Sequence, residues 1–104
     1  MTTFDDRAAA FESKHAHDTH MQFRAEARRN KLVGLWAAGL MGKTGAEADD
    51  YAMSVVHADF EEAGIDDVVR KLVADLGGLA TEETIRARMA ATLAEAKAQL
   101  LSEE

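Results

Sequence analysis

Ala37-Ala38-Gly39-Leu40-Met41-Gly42-Lys43-Thr44 decides the fold, because it can be read in two incompatible ways. With Ala37 in place of the first glycine, it satisfies the permissive form of the phosphate-loop pattern and ends in Gly42-Lys43-Thr44. That motif works only between a buried strand and a helix, where backbone amides cradle phosphates and the hydroxyl holds magnesium. The other reading makes the stretch the end of one helix and the start of the next. The residues before it choose the second. Met21, Ala25, the stem of Arg28, Leu32, Leu35, Trp36 and Leu40 form an apolar stripe of helical period, and strands alternating with helices are absent. Gly42 then terminates the helix, and only a weak anion site at the following helix start is left open. Gly34 and Gly39 each cost about 1 kcal/mol against alanine inside a helix, which points to close packing or to fraying near the end.

Downstream, Thr44-Gly45-Ala46-Glu47 has the form of a capping box, in which the hydroxyl meets the third amide and the glutamate reaches back. The helix it predicts carries Ala48, Tyr51, Ala52, Val55, Val56 and Phe60 on its apolar face, and Gly64 is placed for a left-handed end. Asp66 is the expected N-cap of a short third helix with Val68, Val69, Leu72, Val73 and Leu76, broken by Gly77-Gly78. Thr81 caps a last helix whose core positions are Ile85, Met89, Leu93, Ala96 and Leu100. Short connections between four helices predict an all-α, four-helix bundle-like domain of up-and-down topology.

Upstream, Phe4, Ala8, Phe11 and His15 recur at one-turn spacing on an otherwise polar segment, with Thr3 as a cap, Asp6 near the positive end and Lys14 near the far end. A helix of about 15 residues is marginal alone in water, so this segment wants a partner. The pattern blurs between His15 and Met21, although both stripes can lie on one bent helix. The expected division is a flexible, conditionally helical amphipathic arm over 1–18 and a four-helix body over 19–104. Because the body reads as self-sufficient, the partner of the arm is expected to be another protein.

Composition narrows the field. A chain of 104 residues, 47% apolar, holds one modest core, and the absence of proline with few β-branched runs fits all-α structure. There is no cysteine, which excludes disulfides and thiolate metal sites and suits a reducing compartment. The net charge of −7 opposes unguided binding to nucleic acid or an anionic membrane, despite the local cluster Arg24, Arg28, Arg29 and Lys31. No signal-peptide core follows Asp5-Asp6, and the longest apolar stretch, Leu32 to Gly42, falls short of the ~20 residues that span a bilayer. A cytoplasmic protein without direct membrane insertion or nucleic-acid partner is expected.

The chemistry-bearing residue types do not assemble into a reaction centre. His15, His17 and His20 are close together but lack a second ligand set, so no metal site is expected, and His57 is expected half-buried in the second helix. Acidic neighbours such as Asp49-Asp50 or Glu82-Glu83 point about 100° apart on a helix and cannot converge on one substrate. Ser13, Ser54 and Ser102 have no activating context, so the chain is not read as an enzyme. Trp36, Tyr51, Phe60 and Phe23 are expected in the core. A second class of function stays open: a small nucleotide-sensing module built on Arg28, Arg29, Lys31 and Trp36, with Lys43 contributing and ADP or ATP as ligand. A generic helical adaptor is the blandest alternative.

Phe4-Asp5-Asp6-Arg7, Ala10-Phe11-Glu12, Lys14 and Ala16-His17-Asp18, then Ala27-Arg28-Arg29-Asn30-Lys31-Leu32 and Gly34-Leu35-Trp36-Ala37-Ala38, resemble the zeta subunit family, the ATPase-inhibitor subunits of alphaproteobacterial F-type ATP synthases. Gly45-Ala46-Glu47-Ala48-Asp49, Asp59-Phe60-Glu61-Glu62 and Arg70-Lys71 continue the resemblance. It implies a four-helix body and an inhibitory arm that inserts at a catalytic interface between alpha and beta subunits, near gamma, and stalls ATP hydrolysis. It also implies a protein peripheral to the inner membrane when bound to the synthase, requiring no cofactor, with an adenine-nucleotide site on the body in some members. On this reading Phe4, Arg7 and Phe11 anchor the arm, Asp5 and Ala8 share the inserted segment, and Glu12 and Lys14 make rim contacts. His15 stands where an aromatic residue is expected, and an imidazole is a poorer anchor in an apolar groove. Each buried phenylalanine could contribute about 1.5 to 3 kcal/mol before the cost of ordering the arm.

Overall fold

The computed structural model describes the backbone of residues 3–58 and 64–103, and side chains over 19–58 and 64–103. Within these residues four α-helices follow one another: α1 (Thr3–Leu40), α2 (Gly45–Ala58), α3 (Asp66–Leu76) and α4 (Glu82–Glu103), with a 3-10 turn at Gly77–Leu79 between the last two. Among the described residues there is no strand, and no helix is long and apolar enough to cross a membrane. The expected capping of the first helix by Thr3 and Asp6 lies outside the described side chains.

The stretch Ala37–Thr44 is a helix end. Gly42 has φ 77, its amide donates to the carbonyl of Gly39 at 3.1 Å, and the Lys43 amide donates to that of Ala38 at 2.9 Å. This is a Schellman ending, in which a left-handed glycine turns the last amides back onto free helix carbonyls. Amides of Met41, Gly42 and Lys43 are therefore spent on the chain's own carbonyls and cannot cradle a phosphate.

Other ends differ in detail from what local sequence predicts. Gly45, the first residue of α2, has φ 57, so the helix begins from a left-handed residue instead of the right-handed turn that a capping box at Thr44 requires. Asp66 is the first helical residue of α3 and not its N-cap; Ile65 holds that place without a side-chain bond. The carboxylate of Asp66 accepts instead from Arg86 of α4 at 3.1 Å, and buried Asp67 accepts from the Val68 amide at 2.9 Å. Both acids remain in the first turn, where they complement the helix dipole. Gly64 and Gly77 adopt φ 85 and φ 57, and the Gly77 amide closes α3 onto the Val73 carbonyl. Thr81 caps α4 as expected, its hydroxyl oxygen accepting from the Thr84 amide at 3.1 Å.

α1 is the central helix, packed most extensively against α2 on one side and α4 on the other. The main core combines Val33 and Ala37 of α1, Val55 of α2, Val68, Val69, Leu72 and Leu76 of α3, and Ile85 and Met89 of α4. Towards the other end of α4, Ala96 and Leu100 are also buried, as is Ala25 of α1. The apolar stripe expected on α1 is displaced. Buried positions are Ala25, Arg29, Asn30, Val33, Gly34, Ala37 and Ala38, whereas Leu32, Leu35 and Trp36 are half-buried and Leu40 is exposed. A helix flanked on two sides buries small residues where its neighbours come closest, and its larger apolar side chains cover the flanks. On α4, Thr92 is buried and Leu93 only half-buried. Phe23, expected in the core, is 56% exposed, and His57 is exposed as well. Phe60 lies outside the described residues.

Candidate functional site

The arm positions Phe4, Asp5, Arg7, Ala8, Phe11, Glu12 and Lys14 lie outside the described side chains; the structure describes the root from which they extend. Thr19 and His20 are exposed, Met21 is half-buried, and Ala25 is the first enclosed residue of the described part of α1. The grip on this end comes from α4. Arg28 meets Glu103 through two parallel hydrogen bonds, Nη1 to Oε1 at 2.5 Å and Nη2 to Oε2 at 3.0 Å, with Gln99 Oε1 at 3.4 Å from Nη1. Such a fork fixes orientation as well as distance. The hydrogen bond to Glu103 holds the Arg28 pKa above its usual value despite desolvation, and the same bond lowers the carboxylate of Glu103.

The five positions expected to serve nucleotide binding are spread along α1 and the turn after it. Arg28 is turned to α4, while its neighbour Arg29 is 5% exposed and donates from Nε to Asn30 Oδ1 at 3.0 Å. Asn30 is wholly enclosed, and its Nδ2 finds no partner among the described residues. Lys31 faces solvent. Trp36, eight residues beyond Arg28 and so roughly 12 Å along the axis, is half-buried, and the guanidinium of Arg88 stands 5.1 Å from its ring centroid. Lys43 follows the Schellman turn and contributes its charge near Asp75.

A polar cluster that sequence reasoning missed joins α2 to α3. Tyr51 donates its hydroxyl proton to Asp75 Oδ2 at 2.9 Å, Lys71 Nζ donates to the same oxygen at 2.8 Å, and that ammonium lies 5.2 Å from the Tyr51 ring centroid. Burial, followed by the bond to Asp75, pushes the Tyr51 pKa upward. For Asp75, burial acts upward, yet bonds from Lys71 and Tyr51 and the charges of Lys71 and Lys43 outweigh it and leave the carboxyl below its usual range. The spacing of Lys71 and Asp75 was a legible signal for the ion pair; Tyr51 gave none, since its helical phase marks it only as apolar. Across α3 and α4, Arg86 bridges Asp66 and Glu82, each at 3.1 Å. These clusters fasten helices together.

Comparison with known proteins bears on the chain as a whole. A family model described as ATPase inhibitor subunit zeta matches residues 1–99. Among solved structures, one determined by NMR in solution is 57% identical, covers 81% of this chain and 99% of its own, and superposes with a TM-score of 0.76. No curated protein matches.

Proposed function

Because the chain belongs to the ATPase inhibitor subunit zeta family, we propose that it stalls ATP hydrolysis by inserting the segment 1–18 at a catalytic interface between alpha and beta subunits of the rotary head, near gamma. The observation that carries this reading is that the family match begins at residue 1 and runs to 99, so it includes the arm together with the body. Phe4 and Phe11 supply the apolar anchors, Arg7 an ionic one, Asp5 and Ala8 lie in the inserted segment, and Glu12 and Lys14 meet the rim. The body acts as the stop: a bundle fixed to the arm's root is too bulky to follow it inward. The role is regulatory and not catalytic, exerted in the cytoplasm at the membrane-bound synthase.

Two buried phenylalanines could contribute roughly 3 to 6 kcal/mol, part of which is consumed in ordering the arm. The test is ATP hydrolysis by the isolated cognate head, titrated with the unmodified chain and with a Phe4→Ala, Phe11→Ala double variant. The variant is expected to need roughly a hundredfold more protein, or to lose inhibition altogether. Full potency of the double variant would overturn the anchoring role of these side chains.

A further inference from the structure

At the arm's root, α1 and α4 leave a groove of about 200 Å³ lined by Met21, Gln22, Ala25, Lys97, Leu100 and Leu101. For comparison, a water molecule's share of the liquid is roughly 30 Å³. Ala25 and Leu100 are enclosed and make the floor; Leu101 is 67% exposed and makes a wall. Ala25 contributes only a methyl to the lining, beside Met21 of α1 and the two leucines of α4. The fork between Arg28 and Glu103 fastens the two helices close by. Lys97, exposed on the rim, has no ion pair among the described residues.

We propose that this groove is a second contact with the ATPase head, receiving one apolar side chain of the head with a carboxylate beside it, while the arm holds the two proteins together. The proposal rests on the inhibitory reading above. Three observations favour this occupant. Met21 and Gln22 line the groove a few residues beyond Asp18, so whatever grips the arm is brought next to it. Among the described residues the Lys97 ammonium on the rim has no carboxylate partner, and such a charge favours an anionic neighbour. Copies carrying −7 each repel one another, so a second copy is disfavoured. A contact too weak to act alone counts once tethering has raised its effective concentration.

The experiment compares half-inhibitory concentrations of full-length Leu101→Gln, Lys97→Gln and Lys97→Arg with that of the unmodified chain, on the isolated cognate head, after circular dichroism has confirmed equal helix content. Both altered residues are exposed, so the fold is expected to stand. Leu101→Gln should raise the half-inhibitory concentration about tenfold and Lys97→Gln a few-fold, with Lys97→Arg unchanged. The Lys97→Gln effect should shrink as salt is added. Unaltered potency of both glutamine variants, with the Phe4→Ala, Phe11→Ala variant still impaired, would overturn the groove contact alone; absence of inhibition by the unmodified chain would overturn both readings. A dimer in sedimentation that Leu101→Gln dissociates would assign the groove to a second copy and likewise overturn the proposal.

Discussion

Two glycines of α1 look alike in sequence and should behave oppositely. A Cβ built on Gly34 would lie 2.7 Å from the Ala52 Cα and 3.2 Å from Val55 Cγ2, whereas one on Gly39 meets nothing within 4 Å. Replacing either by alanine gains up to about 1 kcal/mol of helix propensity. At Gly34 the collision is with backbone and must push α2 away, a strain of about 1–3 kcal/mol that outweighs the gain. Gly34→Ala should therefore lower the urea midpoint while Gly39→Ala raises it slightly. Tyr51 offers a second test at this scale. Because Asp75 is held below the usual carboxylate value of 3.8, its contribution to stability is complete above that pH and lost as pH falls through the lowered value. Tyr51→Phe removes one of the bonds responsible, so it should cost at most about 1 kcal/mol near neutrality, screened by partial exposure. Its stability should also fall less steeply below pH 4 than that of the unmodified chain, as acid titrations of the urea midpoint would reveal.

Helix ends were legible to unequal degrees, for reasons of range. Gly42 and Thr81 perform the local functions their residue types suggest, since a Schellman turn and a threonine cap are each completed within a few residues. Thr81→Ala should destabilise the protein by about 1 kcal/mol in equilibrium unfolding, the ordinary cost of an N-cap. The type of Asp66 suits both a cap and a first-turn ion pair, and Arg86, twenty residues away, decides between them. On α1 the helical period was correct but the face was not. Val33 and Ala37 lie in the main core and Leu40 does not, because α2 and α4 approach from two sides and small residues fit there best.

At the scale of the whole molecule, the main core among the described residues begins at Val33 and draws on all four helices, with Ala25 and Leu100 buried outside it. A chain lacking residues 1–18 is accordingly expected to unfold at an unchanged urea midpoint with unchanged cooperativity, while inhibition of the cognate head is lost. A lowered midpoint would mean that the arm is part of the folded body. By itself the sequence determined helix number and order, the ending at Gly42 that disposes of a phosphate loop, and a recognisable family, because periodicity, caps and motif strings are local in the chain. Only the tertiary structure decided which face of α1 is enclosed, that Arg28 is spent on Glu103 75 residues away, that Arg88 covers Trp36, and that a groove opens at Ala25. Those outcomes depend on where α4 returns along α1, and packing between elements, not any local preference, sets that path.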